Sequence, residues 1–313
     1  MEGTEIKMTD LKFKPVEAED MKVLAPYFGL RPNKTCDSVP LDSFIWRKYY
    51  HVRYAIHENK ALLWLMKEDG VMHSAMPLCK EEDLKKYFDM TVEYFNQVLH
   101  IPFKIYLADE EAIEFLHLKE SEDFVVTEQE DLKDYLYDGE AMRKLSGKKL
   151  HKKKNHLNAF LKEYEGRYEF RRLCCSDRDD VWRFLDRWRE RKGDEVEEHL
   201  DYEVEGIHEI LKQCLDLDIR MSGVYIDGKL EAFTIGSYNQ AENMAGIHIE
   251  KANPEIRGLY QFINQQFLVQ EFPDVTLVNR EDDLGQEGLR HAKMSYNPCE
   301  FARKYLVQQK NFK

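Results

Sequence analysis

The 313-residue chain carries 46 Lys+Arg against 59 Asp+Glu, a net charge of −13, and is 43% apolar and 12% aromatic. Its 15 glycines and 9 prolines exclude collagen-like and low-complexity classes, and its apolar content suffices for two ordinary domains or one large one. The negative balance excludes indiscriminate coating of a polyanion, so any contact with phosphate has to be made by a local group of cations.

The first 20 residues are polar and acidic and lack the apolar centre of a secretory signal. The longest apolar run, residues 61–66, has the length of a buried strand and falls far short of the roughly 20 residues that span a bilayer. A cytoplasmic protein with no transmembrane segment is expected. Residues 51–57, 61–67 and 71–76 read as strands, the last two joined by the hairpin signal Asp69-Gly70. Leu84, Tyr87, Phe88, Thr91, Val92, Phe95 and Leu99 recur at three and four residues and predict a helix over 80–99. His100-Ile101-Pro102 ends it, and 103–107 reads as a strand.

A helical block comes next: a helix over 141–164, a strand over 168–173, then helices over 178–191 and 203–215. Strands follow at 220–226 and 230–237, joined by Asp227-Gly228, and at 244–250. A helix over 255–271 opens at Pro254 and closes at Phe272-Pro273. The chain ends in a strand (275–278), a helix (286–293) and a strand (299–306). A three-stranded meander, a helix and a further strand thus occur twice. The fold class is α+β (α/β mixed), in two domains over residues 1–140 and 141–313, each with a mostly antiparallel mixed sheet flanked by helices. The six cysteines have neither C-x-x-C nor zinc spacing and are read as unpaired thiols in a metal-free protein.

Three constellations could carry chemistry. Arg143, Lys144, Lys148, Lys149, Lys152, Lys153 and Lys154 put seven cations in twelve residues of an acidic chain. Leu150, Leu157, Phe160, Leu161 and Tyr164 give that segment a core-facing stripe, so its lysines fan outward as an anion site or as a solvated face. A second group runs from Asn279 through Arg280, Glu281, Asp282 and Asp283 to Arg290 and Lys293, leaving a strand and entering a helix. Carboxylates at a strand end can accept a proton or grip an ammonium group, or can merely cap the helix. The third is the junction from His248 to Tyr260, where Glu250 is a further candidate base and Arg257-Gly258 could face a phosphate at a helix start. Gly-x-Ser-x-Gly, Walker and dinucleotide fingerprints are absent.

The order of elements in the second half resembles the GNAT acyltransferase fold. Tyr135-Leu136-Tyr137, the run from Leu145-Ser146-Gly147 through Lys148-Lys149 and Lys152-Lys153-Lys154 to Asn158, and the run from Asn279 to Gly285 with Gly288-Leu289-Arg290, Lys293 and Ser295-Tyr296 resemble the C-terminal domain family of phosphatidylglycerol lysyltransferases. That family is similar to Fem-type peptidoglycan aminoacyltransferases, and the resemblance spans about residues 20–306. It implies tandem GNAT-like folds and transfer of an aminoacyl group from a charged tRNA to an amine or hydroxyl of a lipid headgroup, peptide or small molecule. Carried over, Lys148, Lys149, Lys152 and Lys153 would contact tRNA phosphate. Glu281, Asp283, Arg290 and Lys293 would line the pocket. Beside the resemblance, Asn279 is a further substrate-binding candidate, and the acceptor's proton would pass to Glu281, Asp283 or Glu250, or to water. The donor is itself a substrate, so no cofactor is required. Acetyl-CoA or another acyl-CoA is the alternative donor, because the pyrophosphate loop of coenzyme-A-binding relatives survives only as Arg257-Gly258. A non-catalytic binding module on the same fold is the third reading.

Overall fold

A computed structural model describes residues 11–192 and 198–312. They form two compact units, one ending at Leu132 and completed by the segment from Ala302 onward, the other Lys133–Phe301. No helix among the described residues is long and apolar enough to cross a membrane.

The first unit holds strands β1 (Lys14–Pro15), β2 (Arg53–His57), β3 (Ala61–Glu68), β4 (Val71–His73), β5 (Lys104–Asp109) and β6 (Phe124–Glu128). Its helices are α1 (Met21–Phe28), α2 (Pro40–Ile45), α3 (Leu84–Glu93) and α4 (Glu110–Phe115). The expected meander is β2-β3-β4, and a parallel bridge between Ser74 and Ile105 then leads to β5. The predicted helix 80–99 is α3 prolonged by a π turn at Tyr94–Val98. Its apolar stripe (Leu84, Tyr87, Phe88, Phe95) packs on Leu63, Phe103 and Ile105.

The second unit carries β7 (Asp134–Asp138), β8 (Tyr168–Arg172), β9 (Arg220–Ile226), β10 (Lys229–Asn239), β11 (Met244–Ala252), β12 (Leu277–Asn279) and β13 (Glu300–Ala302). They form one sheet in the order β13-β7-β12-β11-β10-β9-β8. Only β11 and β12 of the registered pairs run parallel. Its helices are α5 (Gly139–Lys144), α6 (His151–Glu163), α7 (Arg178–Lys192), α8 (Glu198–Gln213), α9 (Leu259–Glu271) and α10 (Glu287–Met294). Ala232, Ala245, Ile247 and Val278 of the sheet pack on Phe160 of α6 and on Phe262, Ile263 and Phe267 of α9.

The structure departs from the sequence reading in five places. The unit boundary lies at Leu132/Lys133, near but not at residue 140, because β7 pairs with β12 and so belongs to the second sheet. The final strand divides at Arg303: β13 stays in the second sheet, whereas β14 (Lys304–Gln309) pairs with β5 and β6 in the first unit. The helix expected over 141–164 breaks into α5 and α6, since Leu145 and Gly147 take left-handed backbone angles (φ 43° and 89°). The six cysteines are not all unpaired: Cys175 and Cys214 form a disulfide with Cα atoms 6.0 Å apart, a pairing made when α7 and α8 lie together.

Finally, α9 starts at Leu259, four residues later than expected, because Gly258 has φ 84°. A Cβ on Gly258 would collide with the His156 carbonyl, so glycine here permits the close packing of α9 on α6. Gly258→Ala should cost at least about 2 kcal/mol, through backbone strain and a clash with main chain. Thermal denaturation of the variant would check this, and an unchanged midpoint would contradict it.

Candidate functional site

The site grows from the place where β11 and β12 part. They pair only over Met244–Gly246 and Leu277–Asn279, although β11 continues to Ala252. Beyond Asn279 the chain stays with β7: Arg280 N–H donates to the Tyr135 carbonyl (3.1 Å) and Tyr135 N–H to the Glu281 carbonyl (3.1 Å). Two side-chain pairs cross the gap. His248 Nδ1 lies 2.8 Å from Glu281 Oε1, and Arg280 Nη2 lies 3.0 Å from Glu250 Oε1.

A bulge places both β11 partners. The β10–β11 register passes from Ile235↔Ile249 to Gly236↔Ile247, which leaves His248 as the extra residue. Bulges re-aim side chains locally. His248 here reaches Ser237 (Nε2 to Oγ 2.7 Å) and Glu281, while Glu250 turns to Asn264 of α9 (2.7 Å) and to Arg280.

The loop after β12 is tightly tied. Glu281 has φ 58°, an unusual conformation for a non-glycine residue that costs about 1–2 kcal/mol. Asn279 offsets this by accepting the Glu281 N–H at 2.6 Å, while its amide donates to Asp134 (3.0 Å). Asn279 is fully buried, so it shapes the loop from within. Asp283, 1% exposed, accepts from Arg290 Nε and Nη2 (both 2.9 Å), from the Gly285 N–H (2.9 Å) and from the Tyr135 hydroxyl. Burial alone would raise its pKa, but these donors outweigh burial and hold the carboxyl at about 2. Burial and the same carboxylate push the Tyr135 phenol up to about 12. Lys293 Nζ donates to the carbonyls of Arg280 (2.6 Å) and Asp282, and burial lowers its pKa. The Tyr137 hydroxyl in turn donates to the Lys293 carbonyl at 2.9 Å. The Tyr135-Leu136-Tyr137 strand therefore braces both the loop and α10.

The expected cation cluster splits in two. Arg143 is spent internally on the carbonyls of Phe272 and Val275, and Lys144 pairs with Glu140. Lys148, Lys149, Lys152 and Lys154 are exposed on the turn before α6 and on its first turn. That first turn holds no acidic residue, and its N-cap makes no side-chain hydrogen bond. Lysines at the positive end of a helix dipole repel it unless an anion binds there. Lys153 alone turns inward, its Nζ 4.2 Å from the centre of the Tyr296 ring, and Arg280 lies 4.8 Å from the same centre. Burial, then Arg280, then Lys152 lower the Lys153 pKa. The basic helix and the strand-end loop thus meet at Tyr296. Arg257 is exposed, 3.4 Å from His156, and the approach to Gly258 is filled by the His156 carbonyl.

Sequence reasoning missed Ser237 and the part played by His248. The polar His248 between Ile247 and Ile249 was a legible signal; Ser237 offered none.

Comparison with known proteins bears on the fold and the family. A conserved protein of unknown function from Bacteroides thetaiotaomicron is 26% identical, with 96% of this chain and all of that one aligned at a TM-score of 0.87. L-PGS from Bacillus licheniformis aligns over 95% of this chain and 94% of its own at TM-score 0.67 and 14% identity. FemX aligns over 96% and 98% at TM-score 0.64 and 9% identity. These likenesses bear out the α+β, GNAT-like fold. Residues 37–308 match the family described as phosphatidylglycerol lysyltransferase, C-terminal. On that match, which covers most of both units, the chain belongs to the phosphatidylglycerol lysyltransferase C-terminal domain family.

Proposed function

We propose that the chain transfers an aminoacyl group from a charged tRNA to an amine or hydroxyl acceptor on a lipid headgroup, peptide or small molecule. The observation that carries this reading is the meeting, at Tyr296, of Lys153 from an uncompensated basic helix start with Arg280 of the strand-end loop, which itself pairs with Glu250. Lys148, Lys149 and Lys152 would hold tRNA phosphates, and Lys153 would guide the acceptor end toward the loop.

Of the three candidate bases, Glu281 suits the task best. Asp283 is saturated with donors, and Glu250 lies between Arg280 and Asn264 with its side chain 9% exposed. The Glu281 side chain is 21% exposed. It would take the proton from the acceptor as nitrogen or oxygen attacks the ester carbonyl. The carbon–oxygen bond to the ribose then breaks, and Glu281 returns the proton to the leaving ribose oxygen. No covalent enzyme intermediate and no cofactor are needed.

An acyl-CoA donor is the weaker reading. Gly258 already serves helix packing, and a donor arm entering between β11 and β12 would have to break two side-chain pairs. Saturable thermal stabilisation by coenzyme A would favour it nonetheless.

Binding of a fluorescent charged tRNA, measured by anisotropy across a salt series, tests the proposal. Replacing Lys148, Lys149, Lys152 and Lys153 by Ala should weaken binding at least about 30-fold at low salt and flatten the salt slope by about three. Equal binding by the variant would remove the anion site, and with it the tRNA donor.

A further inference from the structure

Ser237, His248 and Glu281 form one hydrogen-bonded file: Ser237 Oγ to His248 Nε2 at 2.7 Å, then His248 Nδ1 to Glu281 Oε1 at 2.8 Å. The file is built into the sheet. The bulge on β11 supplies His248, and Gly246 leaves the room it needs. A Cβ on Gly246 would stand 3.1 Å from His248 Nε2 and 3.4 Å from Ser237 Oγ.

A serine, a histidine and a carboxylate in this order are the groups of a serine hydrolase, so a nucleophilic Ser237 has to be weighed first. Exposure decides against it. In a hydrolase the serine faces the substrate and the carboxylate lies buried behind the ring. Here the Glu281 side chain is 21% exposed, the His248 side chain 1%, and Ser237 5%. The file runs inside out, with the carboxylate as its outward end. A buried hydroxyl behind a buried ring cannot reach an ester carbonyl, but it can fix that ring.

We infer that His248 is a positioning residue for Glu281, with Ser237 holding the ring. This rests on the reading of Glu281 as the base. Ser237 O–H donates to Nε2, which leaves the proton on Nδ1, and Nδ1–H donates to one Glu281 oxygen. The carboxylate plane is thereby set before substrate arrives, and the left-handed backbone of Glu281 is held in register with β11. No bond to the enzyme forms or breaks.

Two measurements on the full chain test this. The first is NMR of ring-15N-labelled histidine, with His248 assigned through His248→Asn. The expected result is an Nδ1–H tautomer with a low-field proton that shifts in Glu281→Gln and exchanges faster in Ser237→Ala. An Nε2–H tautomer would overturn the file, whatever the donor. The second is aminoacyl transfer. Asn places an amide N–H near the position of Nδ1–H, so His248→Asn should keep kcat within about 10-fold, whereas His248→Leu should lower it about 100-fold with KM changed less than about 3-fold. Equal losses in Asn and Leu would mean that the imidazole itself moves the proton. Labelling of Ser237 by a fluorophosphonate would mean that the serine is the nucleophile after all. If the tautomer is as expected but the wild-type chain transfers nothing from charged tRNA, the hydrogen-bonded file stands and the donor assignment falls.

Discussion

Glu281→Gln is expected to reduce aminoacyl transfer by about 10²- to 10⁴-fold, the span typical of a lost general base, while tRNA binding stays within about 2-fold. Gln is isosteric and can still accept from His248 Nδ1 through its amide oxygen, so the loop should keep its shape. The loss therefore belongs to kcat. Comparing single-turnover rates at saturating donor with the anisotropy titration separates the two effects. A variant that transfers at near wild-type rate would move the proton-accepting role elsewhere, and Glu250 would be next despite its pairing with Arg280.

The second large effect is on stability. Asp283→Ala removes the acceptor of four hydrogen bonds and strands the Tyr135 hydroxyl in the interior. Arg290 is less costly to abandon, since its side chain is 45% exposed and can be hydrated. A loss of about 2–4 kcal/mol follows, or a fall of some 5–15 °C in the midpoint. The pH dependence has a definite sign. Asp283 has its pKa lowered from 3.8 to about 2 in the folded chain, so its contribution is full above pH 3.8 and disappears as pH falls through 2. That linkage amounts to about 2 kcal/mol. Urea unfolding of wild type and variant at pH 7 and at pH 3 should give a smaller gap at pH 3, and a gap that widened with acid would contradict the assignment.

Much of this is legible in the sequence, for a physical reason. Alternating apolar residues and the two Asp-Gly turns specify both meanders, because local backbone geometry and one-sided burial suffice to define a hairpin. The loop from Asn279 to Lys293 was legible as a group of polar residues between a strand and a helix. What could not be read were features made by distant partners. Nothing near Ser237 announces that a bulge eleven residues later will bring an imidazole to its hydroxyl. Nothing around Cys175 names Cys214, 39 residues on. Gly258 was legible as special but not for which reason, since a glycine that admits a phosphate and one that admits a neighbouring helix look alike in sequence.

The placement of β14 between β5 and β6 also bears on how the chain is made. The first unit holds two edges open until its last strand is translated, and roughly 175 residues separate β6 from β14. At synthesis rates of about 5–20 residues per second the growing chain carries those unpaired edges for about 10–35 s, while the second unit emerges and folds. The half synthesised first is therefore the half finished last, and that interval is when a chaperone on the ribosome has most to shield.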